Sequence, residues 1–338
     1  MPTVELMMTH QRPKTSVVIL MLVVLCCCSV NAQPLQVVYF DQYLEKKNSS
    51  SAWAFEKFCP VSTSLIARRV LESYGSMFVA HESVNLPPTC VQKGESQVNA
   101  FQNKISRTPV DIDGVRIELQ SPAAQALQRS LDEATTAGLR ISPLDGAIAG
   151  GRSYGDTLMI WNSRVFPAMD FWIKRGRLPE TARDEIARLE LPQKLEKILE
   201  WESQGIYFST DRTRSVLTST APPGTSQHLA LIAFDVVEFR NPTVRGVLNK
   251  NGWFQTIVDD PAHFTYLGFR ETELPSRGLL AVFKGGHLYW IPNLLPLPNL
   301  TEALDSSTDT PTADEITTAK TRSSKMRAIS LHAAPLNQ

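Results

Sequence analysis

Histidines are scarce in this chain, six among 338 residues, so chemistry that uses imidazole must draw on very few positions. Two of them sit in settings suited to it. His228 ends the breaker-rich stretch Pro222-Pro223-Gly224-Thr225-Ser226-Gln227 and leads into an apolar run that contains Asp235 and Glu238. His263 follows Asp259-Asp260-Pro261-Ala262. A zinc ion that performs hydrolysis needs three protein ligands and one position left for water, and two imidazoles with a carboxylate form one of the standard sets. His228, Asp235 and His263 meet that count. Zinc lowers the pKa of water toward about 7, but a carboxylate must still carry the proton to a leaving amine. Asp260 is the candidate for that base, because the Asp260-Pro261 step biases it toward extended backbone and aims it and His263 at one place. Asp259 is the alternative. The competing reading is blander: a His and an Asp at this spacing recur by accident, and a His beside a strand is commonly a core or surface residue.

These side chains need elements to position them. Leu229 to Phe239, Trp253 to Val258, Leu279 to Phe283 and Leu288 to Ile291 are apolar, rich in Val, Ile, Phe and Trp, and bounded by Gly, Pro or Asn, which predicts strands. Lys284-Gly285-Gly286-His287 reads as the turn of a hairpin between the last two. His228 and Asp235 lie an odd number of residues apart, so an unbroken strand would put them on opposite faces, and a bend near Ala230 to Ile232 is required. Upstream, helices are predicted over Ser62 to Tyr74, over Asp156 to Arg175 and, in two pieces, over Glu180 to Gln204. A further helix runs from Ser121, read as its N-cap, to Ala137, with Gly138 beyond its end, after a short strand at Val115 to Leu119. Helices first and hairpin-spaced strands later predict an α+β fold with a central antiparallel sheet that carries the site. The stretch from Gln33 to Ser51 reads as a flexible lead-in, with order beginning near Trp53.

Composition narrows the setting. Lys+Arg and Asp+Glu number 34 each, for zero formal charge, so no basic surplus exists to neutralise a phosphate backbone and nucleic acid is not an expected partner. Arg12 and Lys14 precede an apolar run from Val17 to Cys28, and Val30-Asn31-Ala32 offers a cleavage site, so residues 1–32 read as a signal peptide. The apolar run is shorter than the roughly 20 residues that span a bilayer, and a secreted or periplasmic protein without stable membrane insertion is expected. Three of the five cysteines fall in that segment, leaving Cys59 and Cys90 to form one disulfide or remain two buried thiols. Residues 33–114 form an N-terminal region, 115–298 the candidate zinc domain, and 299–338 a tail whose Thr, Ser, Asp, Ala and Lys content predicts disorder.

The segment Ser226 to Asp235, Ser-Gln-His-Leu-Ala-Leu-Ile-Ala-Phe-Asp, resembles the S-x-H-x-x-G-x-A-x-D signature of VanY-type and VanX-type D-Ala-D-Ala metallopeptidases, within the hedgehog/D-Ala-D-Ala peptidase-like zinc fold. Asp260-Pro261-Ala262-His263 is similar to that family's E-x-x-H element, and Gly151-Arg152-Ser153-Tyr154 to its G-Y-R-S-Y element. The resemblance covers about Leu139 to Gly268. It implies zinc on His228, Asp235 and His263, Asp260 as base, Arg152 stabilising negative charge on the attacked carbonyl, and Ser226 and Tyr154 near the substrate. The implied activity is a secreted D,D-carboxypeptidase-like hydrolase acting on peptidoglycan stem peptides. Leu231 replaces the motif glycine and Asp260 the longer glutamate. These departures keep open a non-catalytic zinc-containing module that binds peptide or cell wall, for which closure of the fourth position by His287 or Glu238 would be the mark.

Overall fold

Residues 37–48 and 54–296 are described by the computed structural model; the expected signal peptide and tail lie outside them. Helices α1 (Phe40–Lys47), α2 (Phe55–Phe58), α3 (Leu65–Tyr74) and α4 (Glu95–Gln102) come first, followed by strands β1 (Arg107–Ile112) and β2 (Val115–Gln120). Helices α5 (Ser121–Thr136), α6 (Tyr154–Lys174), α7 (Ala182–Arg188) and α8 (Leu191–Ser203) come next. Strand β3 (Ala233–Asp235), helix α9 (Pro242–Lys250) and strands β4 (Trp253–Gln255), β5 (His263–Tyr266), β6 (Leu279–Lys284) and β7 (His287–Pro292) complete the order. The fold is α+β.

The strands form three small antiparallel sheets, β1-β2, β3-β5-β4 and β6-β7, where one larger sheet was expected. The expected long strand over Leu229 to Phe239 shrinks to β3 because Gln227–Ala230 is a 3-10 turn and Leu231 has a left-handed backbone. Its neighbour β5, the central strand of the site-bearing sheet, was not predicted. All four of its residues are buried, so it lacks the alternation that marks a strand with one wet face.

Local rules explain most helix ends. Ser153 caps α6, accepting from Asp156 N at 3.1 Å while the Asp156 carboxylate accepts from Ser153 N at 2.8 Å. Ser64 caps α3 through Ala67 N. At α5 the N-cap is Gln120, not Ser121 as expected; Ser121 has already turned helical, and its hydroxyl meets those of Ser106 and Thr108. The expected flexible lead-in also needs correction, since it contains α1. Phe40 and Leu44 are buried there, with Phe40 N donating to Asn293 O, so tertiary burial orders a segment of weak local signal.

Two apolar cores result. One surrounds the three-stranded sheet with α1, α5 and α9, and includes Phe234, Trp253, Phe254 and Phe264. The other packs α6, α7 and α8 through Trp161, Met169, Ile198 and Trp201, and takes in Tyr74 and Ile257. Elements before Val115 are joined to those after it: Gln102 Nε2 donates to Arg152 O and Leu229 O, and Gln92 N to Gly224 O.

Cys59 and Cys90 form a disulfide across 31 positions, which fits an oxidising extracellular or periplasmic location. No helix among the described residues is long and apolar enough to cross a membrane. Closing a loop of that length removes unfolded-state entropy equivalent to about 3–4 kcal/mol. Thermal melts of the Cys59→Ser/Cys90→Ser double variant are therefore expected to fall by many degrees, with the unaltered chain falling equally once reduced. An unchanged midpoint would contradict this.

Candidate metal centre

The site is assembled by a turn and a strand pair. Gly224, at φ +86°, lies so close to Gln92 that a Cβ would sit 1.9 Å from its carbonyl oxygen, and this contact fixes the loop that delivers Ser226. The 3-10 turn then raises His228, and Leu231 reverses the chain at φ +55°. That is the bend the spacing required. Glycine adopts this conformation freely, whereas for leucine it costs on the order of 1–2 kcal/mol. Burial of the Leu231 side chain and the bond from Gln120 N to Leu231 O hold it there. Asp235 ends β3 directly opposite His263, the first residue of β5, so antiparallel register brings the second and third ligands side by side.

His228 Nε2, His263 Nδ1 and Asp235 Oδ1 form a triangle with sides of 3.1, 3.1 and 3.3 Å. The far nitrogen of each imidazole has its own acceptor: His228 Nδ1 donates to Gly150 O at 2.6 Å, and His263 Nε2 to Gln227 Oε1 at 2.9 Å. Those bonds fix the tautomers. With each proton on the far side, three lone pairs converge with no hydrogen between them, an arrangement that a cation resolves. Tetrahedral coordination at about 2.0–2.1 Å separates ligand atoms by about 3.3–3.4 Å, which the triangle matches closely. The donor set fits zinc.

Electrostatics agree. Burial, reinforced by the Arg152 guanidinium, pushes His228 down to about 4, so its metal-facing nitrogen is unprotonated at neutral pH. Burial alone would raise Asp235, but the protonated forms of His228 and His263 hold it well below the carboxylate range, so Asp235 is ionised before the imidazoles give up their inward protons. Asp260 moves the other way, up to about 6, through burial and then the Asp235 charge. In metal-free protein its ionised form is thus disfavoured on folding, and stability is lost as pH rises from about 4 to about 6. Metal-free Asp260→Asn is expected to be more stable than the unaltered chain at pH 8, by up to about 2 kcal/mol. That advantage should shrink as pH falls through about 6 and vanish near pH 4, where Asp260 is protonated in both the folded and the unfolded chain. Melting temperatures across pH check this, and an advantage independent of pH would contradict it.

The sequence-predicted residues divide in the structure. Ser226 and Asp260 line the cleft beside the triangle. Arg152 lies there too, but its guanidinium is engaged: one nitrogen bonds Asp235 Oδ2 at 2.5 Å and Nε donates to Ile148 O at 2.7 Å. Arg152 thereby orients the carboxylate ligand. Tyr154 does not line the cleft; it starts α6, near Glu95 and Glu190. Asp259, the alternative base, is paired with Lys284 at 3.1 Å and Arg214 at 3.3 Å. Neither expected closing ligand reaches the triangle, since Glu238 accepts from Ser142 N and Oγ, and His287 lies against Gln255 and Phe239.

One participant was missed. Gln227 is fully buried; besides accepting from His263, its Oε1 accepts from Thr256 and Thr265 hydroxyls, while Nε2 donates to Tyr74 O. It locks the His263 ring through residues of α3, β5 and the loop after β4. Its position between Ser226 and His228 was the only available signal. The triangle opens on a cleft of about 680 Å³, walled by α6 and the 209–221 loop on one side and the site-bearing sheet on the other. No protein-family model matches the chain, and none of the curated proteins matches it.

Proposed function

We propose that this chain is a secreted zinc-dependent peptidase, a D,D-carboxypeptidase-like hydrolase acting on peptidoglycan stem peptides. The observation that carries the reading is the buried His228-Asp235-His263 triangle, whose lone pairs converge beside an open cleft with a carboxylate at its edge. The resemblance of Ser226 to Asp235 and of Asp260 to His263 to the D-Ala-D-Ala metallopeptidases supports the choice of substrate. Bound zinc supplies Lewis acidity, polarising a carbonyl and making water a nucleophile near neutral pH.

The chain's own residues supply the rest. Asp260, ionised above about pH 6 before metal charge lowers that value further, accepts the proton of the attacking water and passes it to the leaving amine. Gly150 O and Gln227 hold the two imidazoles in the tautomers that leave Nε2 of one and Nδ1 of the other free. Arg152 holds Asp235 in orientation and lines the cleft, where a guanidinium charge would stabilise negative charge on a carbonyl oxygen.

The engagement of Arg152 with Asp235 favours a second reading, in which the zinc holds a peptide terminus without turnover. Incubating zinc-loaded protein with defined stem peptides, followed by mass analysis, separates the two: loss of the terminal D-alanine supports the peptidase. Intact peptide that nevertheless binds with zinc present would leave only the binding module.

A further inference from the structure

A small recess of about 90 Å³ opens off the cleft and shares Ser163, Arg164, Ser209 and Thr210 with its wall. Two arginines line it, Arg164 from α6 and Arg212 from the loop after α8. Each has its Nε–H buried without an acceptor, and neither stands within ion-pair distance of a carboxylate among the described residues. Buried donors are nearly always paired, so two arginines that line one small recess, each with an unanswered Nε–H behind its guanidinium end, require an explanation. The obvious counter-charge is committed elsewhere: Asp211 accepts from Ser209 Oγ and Thr213 N and faces Arg214, and these hold its carboxyl down at about 2. Arg212 also sits at φ +60° with its guanidinium 4.6 Å over the Phe171 ring. A left-handed arginine is strained, a feature that clusters at ligand sites.

We infer that this recess is a subsite for a carboxylate on the substrate, placed away from the scissile bond and recognised by Arg164 and Arg212. Guanidinium groups match carboxylates through paired N–H donors, and their weak hydration favours such pairing in a partly dry site. The volume suits a carboxylate with its adjoining carbon, on the scale of about 30 Å³ per water in the liquid. The inference rests on the peptidase reading and sharpens it: the preferred substrates are peptides with an acidic residue upstream of the cleaved bond.

The test uses the zinc-loaded mature chain and two stem-type peptides ending in D-Ala-D-Ala, identical except that one carries an upstream glutamate and the other its carboxamide. A hydrogen bond to a charged group contributes about 1.5–3 kcal/mol, so the unaltered protein should show a KM about tenfold or more lower for the acidic peptide. Arg164→Gln and Arg212→Gln should each erase most of that preference while leaving kcat and the KM of the amide peptide unchanged. Thermal melts check folding, and Arg164→Gln, at an ordinary helical position, serves if Arg212→Gln unfolds. Cleavage of both peptides with equal KM, or a loss in the variants that is the same for both, would overturn the subsite and leave the peptidase reading intact. If neither peptide is cleaved, the peptidase reading fails separately. Calorimetric binding of the two peptides then decides the subsite by the same comparison.

Discussion

Chelator-stripped protein carrying His228→Gln is expected to bind zinc on the order of a thousandfold more weakly than the unaltered chain. Binding free energies of roughly 10–16 kcal/mol for protein zinc sites rest on a few ligands, so losing one of three leaves the others too weak to hold the ion. Glutamine approximates the imidazole's size and keeps the buried position filled. The complementary change Asp235→Asn should weaken binding comparably, and it should also release Arg152, whose guanidinium then lacks the Asp235 charge at 2.5 Å. Gln227→Ala should cost less, about 10–100-fold, because it frees the His263 ring without removing a ligand. This ranking separates a metal centre from a chance grouping of buried polar residues, since in the latter all three variants would alter stability but leave metal content unchanged. Isothermal titration with zinc and the metal content of each purified variant provide the readings.

The second large effect concerns turnover. Asp260→Ala is expected to reduce kcat by about 10²–10⁴-fold while zinc content stays at the level of the unaltered protein. Of the Asp259-Asp260 pair, Asp260 is the carboxylate left for this work. Asp235 faces Arg152 and the two imidazoles, and Asp259 is held by Lys284 and Arg214. Asp259→Asn should therefore change kcat little. If Asp259→Asn were the damaging change and Asp260→Ala the mild one, the assignment of the base would be reversed. The two residues are adjacent, but Asp259 has a left-handed backbone at φ +69°, which turns its side chain toward the exposed Lys284 and leaves Asp260 facing the triangle.

Much of the site was legible because it depends on residue types that are rare in the chain. With six histidines available, the pair flanking an apolar run and an Asp-Pro step made His228, Asp235 and His263 candidate ligands, the resemblance of the flanking motifs to the D-Ala-D-Ala metallopeptidases singled them out, and the odd spacing demanded the bend found at Leu231. What holds the ligands was not legible. Gln227 reads as an unremarkable polar residue until β5 brings Thr265 and His263 against it. Strand β5 itself has no alternating pattern because both its faces are covered. Arg152 was expected to face a substrate oxygen, but its partner became visible only once β3 placed Asp235 within its reach.

The same contrast holds for the fold. Helices α3 and α6 announced themselves by apolar periodicity, α8 also by Pro192 at its start and Gly205 beyond its end, and the β6-β7 hairpin by its Gly285-Gly286 turn, both residues at positive φ. Strand β1 was hidden by Pro109, which argues against a strand unless it lies at an edge, as it does in the β1-β2 pair. The Asp113-Gly114 turn and the Asn241-Pro242 start of α9 were readable signals of that hairpin and that helix. Helix α1 had no such signal; its order comes from burying Phe40 and Leu44 under distant chain near Asn293.

The measurement that bears most directly on the account is zinc-edge X-ray absorption on the metal-reconstituted chain, with metal content determined on the same sample. The prediction is one zinc per chain, bound by two imidazole nitrogens and oxygen donors at about 2.0–2.2 Å, with the imidazole signal reduced in His228→Gln. A chain that retains no zinc after reconstitution, or one whose zinc spectrum is unchanged by that substitution, would contradict it.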